Sequence, residues 1–165
     1  MSSQKIYRFT NEIKVAQQRL KVAFNKKKSE QQKNRHLIAQ LLKENRVNHA
    51  KIKTEYIIRD DYLIEALEII ELYLELILVR ATLILKKDFD PYCLDAMAGL
   101  CYCASRVPDI PELNKLSKIL HPLVPKSHAV DEKLKSLVDF TRARPQNSCS
   151  SASGNAVLSG NSGCF

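Results

Sequence analysis

Three regularly spaced glutamates are the first candidates for catalytic or metal-binding residues in this chain. Glu65, Glu68 and Glu71 recur at three-residue steps, which places them near one side of a helix. A di-iron site in a helical protein needs Glu-x-x-His on such helices, and no His follows any of the three at that spacing. We therefore interpret these side chains as part of a solvated acidic ridge and predict no catalytic pair of carboxylates.

Cysteine and histidine form no recognisable metal or nucleophile motif. Cys101 and Cys103 are too close for a Cys-x-x-Cys pair, and His121 and His128 lack a Cys pair at zinc-finger spacing. Three of the four Gly lie near the C-terminus, so the chain has no phosphate-cradling loop. The odd number of Cys, together with the absence of an apolar signal segment at the start, predicts a reduced, cytoplasmic protein. We expect no metal, no cofactor and no enzymatic activity.

The distribution of charge points to a polyanionic partner. The formal net charge is +8, but residues 1–55 carry 14 Lys and Arg against 4 Asp and Glu, whereas residues 56–165 carry 12 against 14. A basic front half suits a membrane surface or nucleic acid. It also suits self-assembly in which the basic part of one copy meets the acidic part of another. A solvated face that serves only solubility is the alternative.

An anionic membrane explains the basic segment with fewer requirements than nucleic acid does. Nucleic-acid binding calls for aromatic side chains that stack on bases, and the first 55 residues offer only Tyr7, Phe9 and Phe24. A membrane surface needs only a broad cationic face, at about 1 kcal/mol for each Lys or Arg near the surface. The many cationic and few aromatic residues of this segment therefore favour an anionic membrane over nucleic acid as the partner.

The segment 56–85 organises the rest of the chain, because it contains no Pro or Gly and its apolar residues form two helical stripes. Two stripes predict a helix packed on two sides. The first stripe comprises Leu63, Leu67, Ile70, Leu74, Ile77, Ala81 and Ile84, and the second comprises Ile58, Ile69, Leu72, Leu76, Val79 and Leu83. Charged residues within the segment argue against a membrane span, since each would cost about 3 kcal/mol at a bilayer centre.

The remaining segments predict an all-α domain over residues 1–140. A first long helix over residues 7–42 and a turn at residues 45–48 make an antiparallel hairpin with the segment 56–85. The apolar line predicted to pack this first helix on its partner is interrupted by Lys27, Glu30 and Asn34 and comprises Phe9, Ile13, Ala16, Leu20, Ala23, Leu37 and Leu41. Three shorter helices are expected: one starting at Pro91 with Asp90 as its N-cap, one over residues 111–120, and a closing one over residues 130–140. The closing helix has Leu134, Leu137 and Val138 on one face. Residues 141–165 are rich in Ser, Gly and Asn, which predicts a disordered tail.

The segment 51–85 strongly resembles the signature helix of the Ist-one (increased sodium tolerance protein one) family, whose members are relatives of the ESCRT-III subunits. The resemblance extends over roughly residues 7–125 and includes the run from Asn25 to Lys28. The residues to which the resemblance assigns the signature and assembly are Glu55, Ile58, Arg59, Asp61, Tyr62, Glu65, Glu68, Leu72, Tyr73 and Arg80. The segment also shares Ile57, Leu63, Ala66, Ile69 and Glu71 with the family.

The resemblance implies a non-enzymatic, ESCRT-III-like core of four or five helices built on a long basic hairpin. It also implies work on endosomal membranes or at the midbody, in endosomal sorting, tubule scission and cytokinetic abscission. The implied partners are charged multivesicular body proteins, further copies of the chain and MIT-domain proteins, including the AAA ATPase that remodels ESCRT-III. The family's C-terminal MIT-interacting motifs have no counterpart here. The implied membrane-binding residues are Lys14, Lys21, Lys26, Lys27, Lys28, Lys33 and Arg35.

A cytosolic helical adaptor is the second hypothesis. In that case the basic helix would contact an acidic protein and would have no role at a lipid surface. Sedimentation with acidic liposomes separates the two hypotheses, because only the first requires lipid binding.

Overall fold

The computed structural model describes residues 3–88 and 90–143, and this part of the chain is all-α, as predicted. These described residues form six helices and a single 3₁₀ turn at His121–Leu123. The helices are α1 (Ser3–Lys43), α2 (Val47–Val79), α3 (Ala81–Lys86), α4 (Pro91–Ala104), α5 (Glu112–Leu120) and α6 (Glu132–Arg142). Within the described residues, no helix is both long enough and apolar enough to span a bilayer.

Helices α1 and α2 form the predicted antiparallel hairpin, with a turn slightly earlier than expected. The backbone amide of Arg46 donates to the carbonyl of Leu41 at 2.8 Å and closes α1. Asn45 has a φ of 58°, in the left-handed region that Asn tolerates better than most residues. Because α2 begins at Val47 and has 33 residues, its arm is about 50 Å long.

The hairpin packs through the apolar positions predicted for α1, with one exception. Leu37 was expected in the interface but is 37% exposed. The polar stretch at Lys27, Glu30 and Asn34 is half-buried, so it separates two apolar contacts as the sequence indicated. The buried residues of α1 are Phe9, Ile13, Ala16, Leu20, Ala23 and Leu41.

Only one of the two apolar stripes of α2 and α3 is in the core. Leu67, Ile70, Leu74, Ile77, Ala81 and Ile84 are fully or almost fully buried. The prediction that the second stripe is also buried was wrong for most of its members, because Leu72, Val79 and Leu83 are 63%, 81% and 41% exposed. Ile69 and Leu76 of this stripe are partly buried and pack against the core. The second stripe stays exposed because its apolar residues alternate with the glutamates of the acidic ridge on the same side of the helix. Covering that face would therefore bury carboxylates as well.

The long central helix is interrupted at Arg80, where one continuous helix to residue 85 was expected. Arg80 has φ −100° and ψ 13°, so α2 ends at Val79 and α3 restarts at Ala81. The Arg80 guanidinium forms an ion pair with Asp90. Asp90 is the predicted N-cap of α4, and its Oδ1 accepts from the backbone amide of Cys93 at 2.9 Å. One carboxylate therefore serves both the helix break and the start of the next helix.

Helix α4 lies close to the hairpin because the residues facing its neighbours are small. Gly99 has no side chain, and a Cβ there would lie 2.5 Å from Cε2 of Tyr73 and 3.1 Å from Cδ2 of Leu134. Gly99 thus sets the approach of α4 to both α2 and α6. The buried face of α4 also contributes Cys93, Ala96, Met97, Leu100 and Cys103 to the hydrophobic core of the described residues.

The closing helix is longer at its C-terminal end than predicted and is fastened to α2 and α4. It begins with Asp131 as N-cap, whose side chain accepts from the amide of Lys133. Leu134, Leu137 and Val138 point into the core, as their spacing predicted. The predicted disordered tail over residues 141–165 overlaps the end of α6, and from residue 144 it lies outside the described residues.

Candidate interaction surfaces

The described residues contain no cluster of three or more His, Cys, Asp or Glu side chains that could hold a metal ion. Cys93 and Cys103 are buried, and Cys101 is half-buried. Burial raises the pKa of the Cys103 thiol to about 12, although the charge of Arg106 opposes this shift. These thiols therefore stay protonated near neutral pH and act as small apolar groups in the core.

Most of the predicted membrane-binding residues lie on the surface of α1. Lys14, Lys21 and Lys28 are spaced by seven residues and share one side of the helix. We call these three residues the cationic face. Arg35 follows Lys28 by another seven residues and extends this side, whereas Lys26 and Lys33 are exposed on the other flank of α1. Among the described residues, no carboxylate lies within ion-pair distance of any of the three lysines of the cationic face.

Two of the predicted membrane-binding residues, Lys27 and Arg35, form ion pairs with carboxylates of α2. The Nζ of Lys27 lies 3.2 Å from Oδ1 of Asp60, and the two side chains are only 23% and 17% exposed. This pair joins the two arms of the hairpin, so Lys27 has a structural contact that the prediction did not foresee. Arg35 lies 3.6 Å from Oδ1 of Asp61, and both of those side chains are exposed.

The C-terminal part of the second stripe, together with acidic neighbours, forms a surface of leucine, valine and glutamate in which only Leu76 is half-buried. We call it the open face and define it as Glu68, Leu72, Glu75, Leu76, Val79 and Leu83, which follow one another at helical spacing. Val79 is the most exposed large apolar residue of the set, at 81%. Glu68 and Glu75 are also exposed. Such an apolar strip with an acidic rim is typical of a surface that receives another helix.

Several of the signature residues hold the described helices together. The hydroxyl of Tyr73 donates to Oδ2 of Asp131 at 3.0 Å, and the Nζ of Lys133 lies 2.8 Å from Oε1 of Glu65. Burial, followed by the hydrogen bond to Asp131, raises the pKa of the Tyr73 hydroxyl. These contacts fix the start of α6 on α2.

Other signature residues act at the end of α6 and within α2. The rings of Tyr62 and Phe140 are 4.3 Å apart between centroids, which secures the C-terminal part of α6. Arg59 pairs with Glu55 at 3.3 Å along α2. Glu68 and Leu72 lie on the open face, and Ile58 and Asp61 are exposed. The structure therefore does not bring the predicted assembly residues into one site.

Sequence reasoning missed two features of the surface. One is the closed end of the hairpin, where Leu42, Val47, Ile52 and Tyr56 are all exposed. Their spacing matches no single helical stripe, so a search for periodic apolar residues passes over them. The other is the pair formed by Arg19 and Glu112 at 3.1 Å, which connects two distant segments of the chain.

Comparison with known proteins is consistent with this architecture. Residues 11–138 match the family described as Ist1, regulator of Vps4 activity in the MVB pathway. The fold is similar to that of the Saccharomyces cerevisiae Ist1 N-terminal domain solved in complex with the Did2 MIM motif. The TM-score is 0.72 at 26% identity, and the match covers 81% of this chain and 80% of the other.

Two relatives are similar in sequence. The chain is 30% identical over 182 aligned residues to vacuolar protein sorting-associated protein IST1 of Saccharomyces cerevisiae, a match that covers 87% of this chain and 61% of the relative. It is 33% identical over 115 residues to an IST1-like protein of Dictyostelium discoideum, with coverages of 69% and 31%. The chain thus spans less than two thirds of the length of either relative.

Proposed function

Because the chain belongs to the Ist1 family, we propose that it is a non-enzymatic, ESCRT-III-related factor of protein transport in the multivesicular body pathway. In this proposal, the cationic face of α1 binds anionic membranes and the open face receives a helix from an ESCRT-III subunit. The protein would act on the cytoplasmic side of endosomal membranes, in tubule scission and in abscission. It would influence the ESCRT AAA ATPase through these assemblies.

The exposed cationic face is the observation that carries the membrane part of the proposal. Seven helical residues rise about 10 Å, so Lys14, Lys21 and Lys28 present a charge at regular intervals along one side of a long arm. Each Lys near an anionic surface contributes about 1 kcal/mol of attraction. A rod carrying three such residues on one side can therefore lie along a lipid surface.

The open face supports the partner part of the proposal. The similar yeast domain was solved with a Did2 MIM motif, and an exposed apolar strip is what an amphipathic helix requires. In this chain the strip is bordered by Glu68 and Glu75. The complementary helix would present leucines at three- and four-residue steps, flanked by Lys or Arg. We propose that charged multivesicular body proteins supply it.

Sedimentation with liposomes rich in phosphatidylserine tests the membrane part. Replacing Lys14, Lys21 and Lys28 with Glu should abolish co-sedimentation, because the change reverses every charge on the cationic face. The matched control replaces Lys118, Lys126 and Lys135 with Glu, which makes the same change in net charge on other exposed parts of the chain. Equal binding by the two variants would contradict the membrane assignment.

Titration with MIM-segment peptides of charged multivesicular body proteins tests the partner part. Replacing Leu72 and Val79 with Asp should weaken binding at least tenfold, because the peptide helix would then meet two carboxylates in an apolar contact. Replacing Tyr92 and Ile119, two exposed apolar residues elsewhere, with Asp should leave the affinity unchanged. An unaltered affinity for the open-face variant would exclude this surface.

The helical adaptor without a lipid role is the competing function. The pairs that Lys27 and Arg35 form with Asp60 and Asp61 are the observation in its favour, since they show basic residues of α1 engaging protein carboxylates. A wild-type protein that ignores acidic liposomes, but whose binding to an acidic protein depends on the cationic face, would establish the adaptor. Steep salt-dependent binding to oligonucleotides would instead indicate a nucleic-acid partner.

A further inference from the structure

The closed end of the α1–α2 hairpin exposes apolar side chains on both arms. Leu42, at the end of α1, is 53% exposed. On α2, the side chains of Val47, Ile52 and Tyr56 are 42%, 55% and 50% exposed. We call these four residues the hairpin end. Contact of large aliphatic groups with water is unfavourable, and an exposed cluster of them commonly marks an interaction site.

The charges around the hairpin end are predominantly positive. Lys43, Arg46, Lys51 and Lys53 lie within the same stretch, against Glu44 and Glu55. Both carboxylates have an arginine partner, since Arg46 lies 3.9 Å from Glu44 and Arg59 lies 3.3 Å from Glu55. The three lysines are therefore the charges that remain to act on a partner, and that partner must be anionic.

The positions of the apolar residues indicate what kind of surface covers them. Val47 and Ile52 are five residues apart on α2, so they point about 140° away from each other. A protein groove covers one side of a helix, whereas a lipid interface surrounds any element that enters it. The Nζ of Lys53 also lies 5.9 Å over the ring of Tyr56, which places a cation beside an aromatic ring, as at membrane–water interfaces.

We infer that the hairpin end inserts into the headgroup region of an anionic membrane. The aliphatic side chains enter the boundary of the acyl chains, and Lys43, Lys51 and Lys53 contact the lipid phosphates. This inference rests on the proposed membrane role and adds an inserted element to it. The cationic face leads along α1 towards this end, so one arm would carry both a surface contact and an inserted tip.

Tryptophan fluorescence tests the inference, because the chain contains no Trp of its own. One variant carries Val47→Trp at the hairpin end, and the matched control carries Tyr92→Trp at an exposed position of α4. Both are mixed with phosphatidylserine vesicles that contain phosphatidylcholine brominated on its acyl chains. The Val47→Trp variant should shift its emission to shorter wavelength and lose at least half of its intensity, whereas the control should retain its solution spectrum.

Three outcomes would overturn the inference. An unchanged spectrum at position 47 in protein that co-sediments with the vesicles excludes insertion and leaves the proposed membrane role intact. Absence of co-sedimentation overturns both. A shift that occurs without vesicles and grows with protein concentration assigns the hairpin end to a contact between copies of the chain.

A second set of variants measures the contribution to binding. Replacing Leu42, Val47 and Ile52 with Ser should lower the fraction of protein bound to phosphatidylserine vesicles at least fivefold. The control replaces two exposed apolar residues of other elements, Tyr92 and Ile119, with Ser, and its binding should match that of the wild type. Equal binding by the two variants overturns the inference.

Discussion

Arg19 on α1 donates a hydrogen bond from its Nε to Oε1 of Glu112 on α5 at 3.1 Å, and so links residues that are 93 positions apart. The Arg19 side chain is 53% exposed, whereas that of Glu112 is 11% exposed. The other carboxylate oxygen of Glu112 is buried and has no hydrogen-bond partner among the described residues. The buried acid therefore depends on a single cation, and this pair positions the start of α5 on the hairpin.

Removing Arg19 alone should destabilise the fold. An Arg19→Met variant leaves a buried carboxylate without its cation, which we expect to lower the free energy of unfolding by about 1–3 kcal/mol. Adding Glu112→Leu should restore most of that loss, because the replacement of both members by apolar groups removes the unpaired charge. Urea denaturation of the two variants measures the difference. If the double variant were as unstable as the single one, the unpaired carboxylate would not be the cause of the loss, and the contact between Arg19 and Glu112 would itself stabilise the fold.

Much of the fold could be predicted from the sequence because its helices are long and periodic. The buried positions from Leu67 to Ile84 recur at three- and four-residue steps that only a core-facing helix explains. Asp90 and Pro91 marked the start of α4 through a cap and a residue suited to the first helical turn. The sequence was therefore sufficient wherever local chemistry determines the local structure.

The surfaces were less predictable because they depend on where other helices lie. The second stripe of α2, which includes Leu72 and Val79, has the same periodicity as a buried stripe, but the structure leaves it exposed. The role of Lys27 depends on Asp60, which reaches it only across the hairpin. The break at Arg80 involves a partner ten residues away, at Asp90. None of these relationships is encoded in spacing along one helix.

Gly99 should resist replacement even by alanine. Ala favours helices by about 1 kcal/mol over Gly, but the added methyl group would collide with the ring of Tyr73 and press on Leu134. We expect a net loss of about 1–3 kcal/mol, because α4 cannot move outwards without opening the core. Thermal denaturation of Gly99→Ala measures this loss. In a Tyr73→Leu background the penalty should shrink, and a penalty of the same size there would show that the ring is not its cause.

Cys103 should make the stability of the fold decrease with rising pH in the alkaline range. Burial raises the pKa of its thiol to about 12 from an ordinary value of 9.0. Between these values the unfolded chain has lost the proton that the folded chain keeps. Stability therefore falls as pH rises through this window, by at most about 1.4 kcal/mol per pH unit from this residue. Below pH 9 the contribution is constant.

A Cys103→Ala variant isolates this effect. Urea denaturation between pH 8 and 11 should give a shallower decline for the variant than for the wild type. Some decline should remain, because burial also raises the pKa values of the Tyr73 and Tyr102 hydroxyls. Parallel curves for the two proteins would mean that the thiol titrates similarly in the folded and unfolded states.

Adjacent lysines of α1 should respond differently to the same substitution. Lys27 is half-buried against Asp60, whereas Lys28 is exposed on the cationic face, with its Nζ 5.4 Å over the ring of Phe24. Lys27→Met leaves a half-buried aspartate unpaired, so it should lower the free energy of unfolding by about 1–2 kcal/mol. Lys28→Met should change stability by less than about 0.5 kcal/mol and should weaken binding to acidic liposomes. Urea denaturation and liposome sedimentation of both variants provide the measurements. Each variant removes one positive charge from the same helix, so a difference between them reports on position alone. If Lys28→Met lowered stability and Lys27→Met weakened liposome binding, the assignment of Lys27 to the fold and Lys28 to the membrane would be wrong.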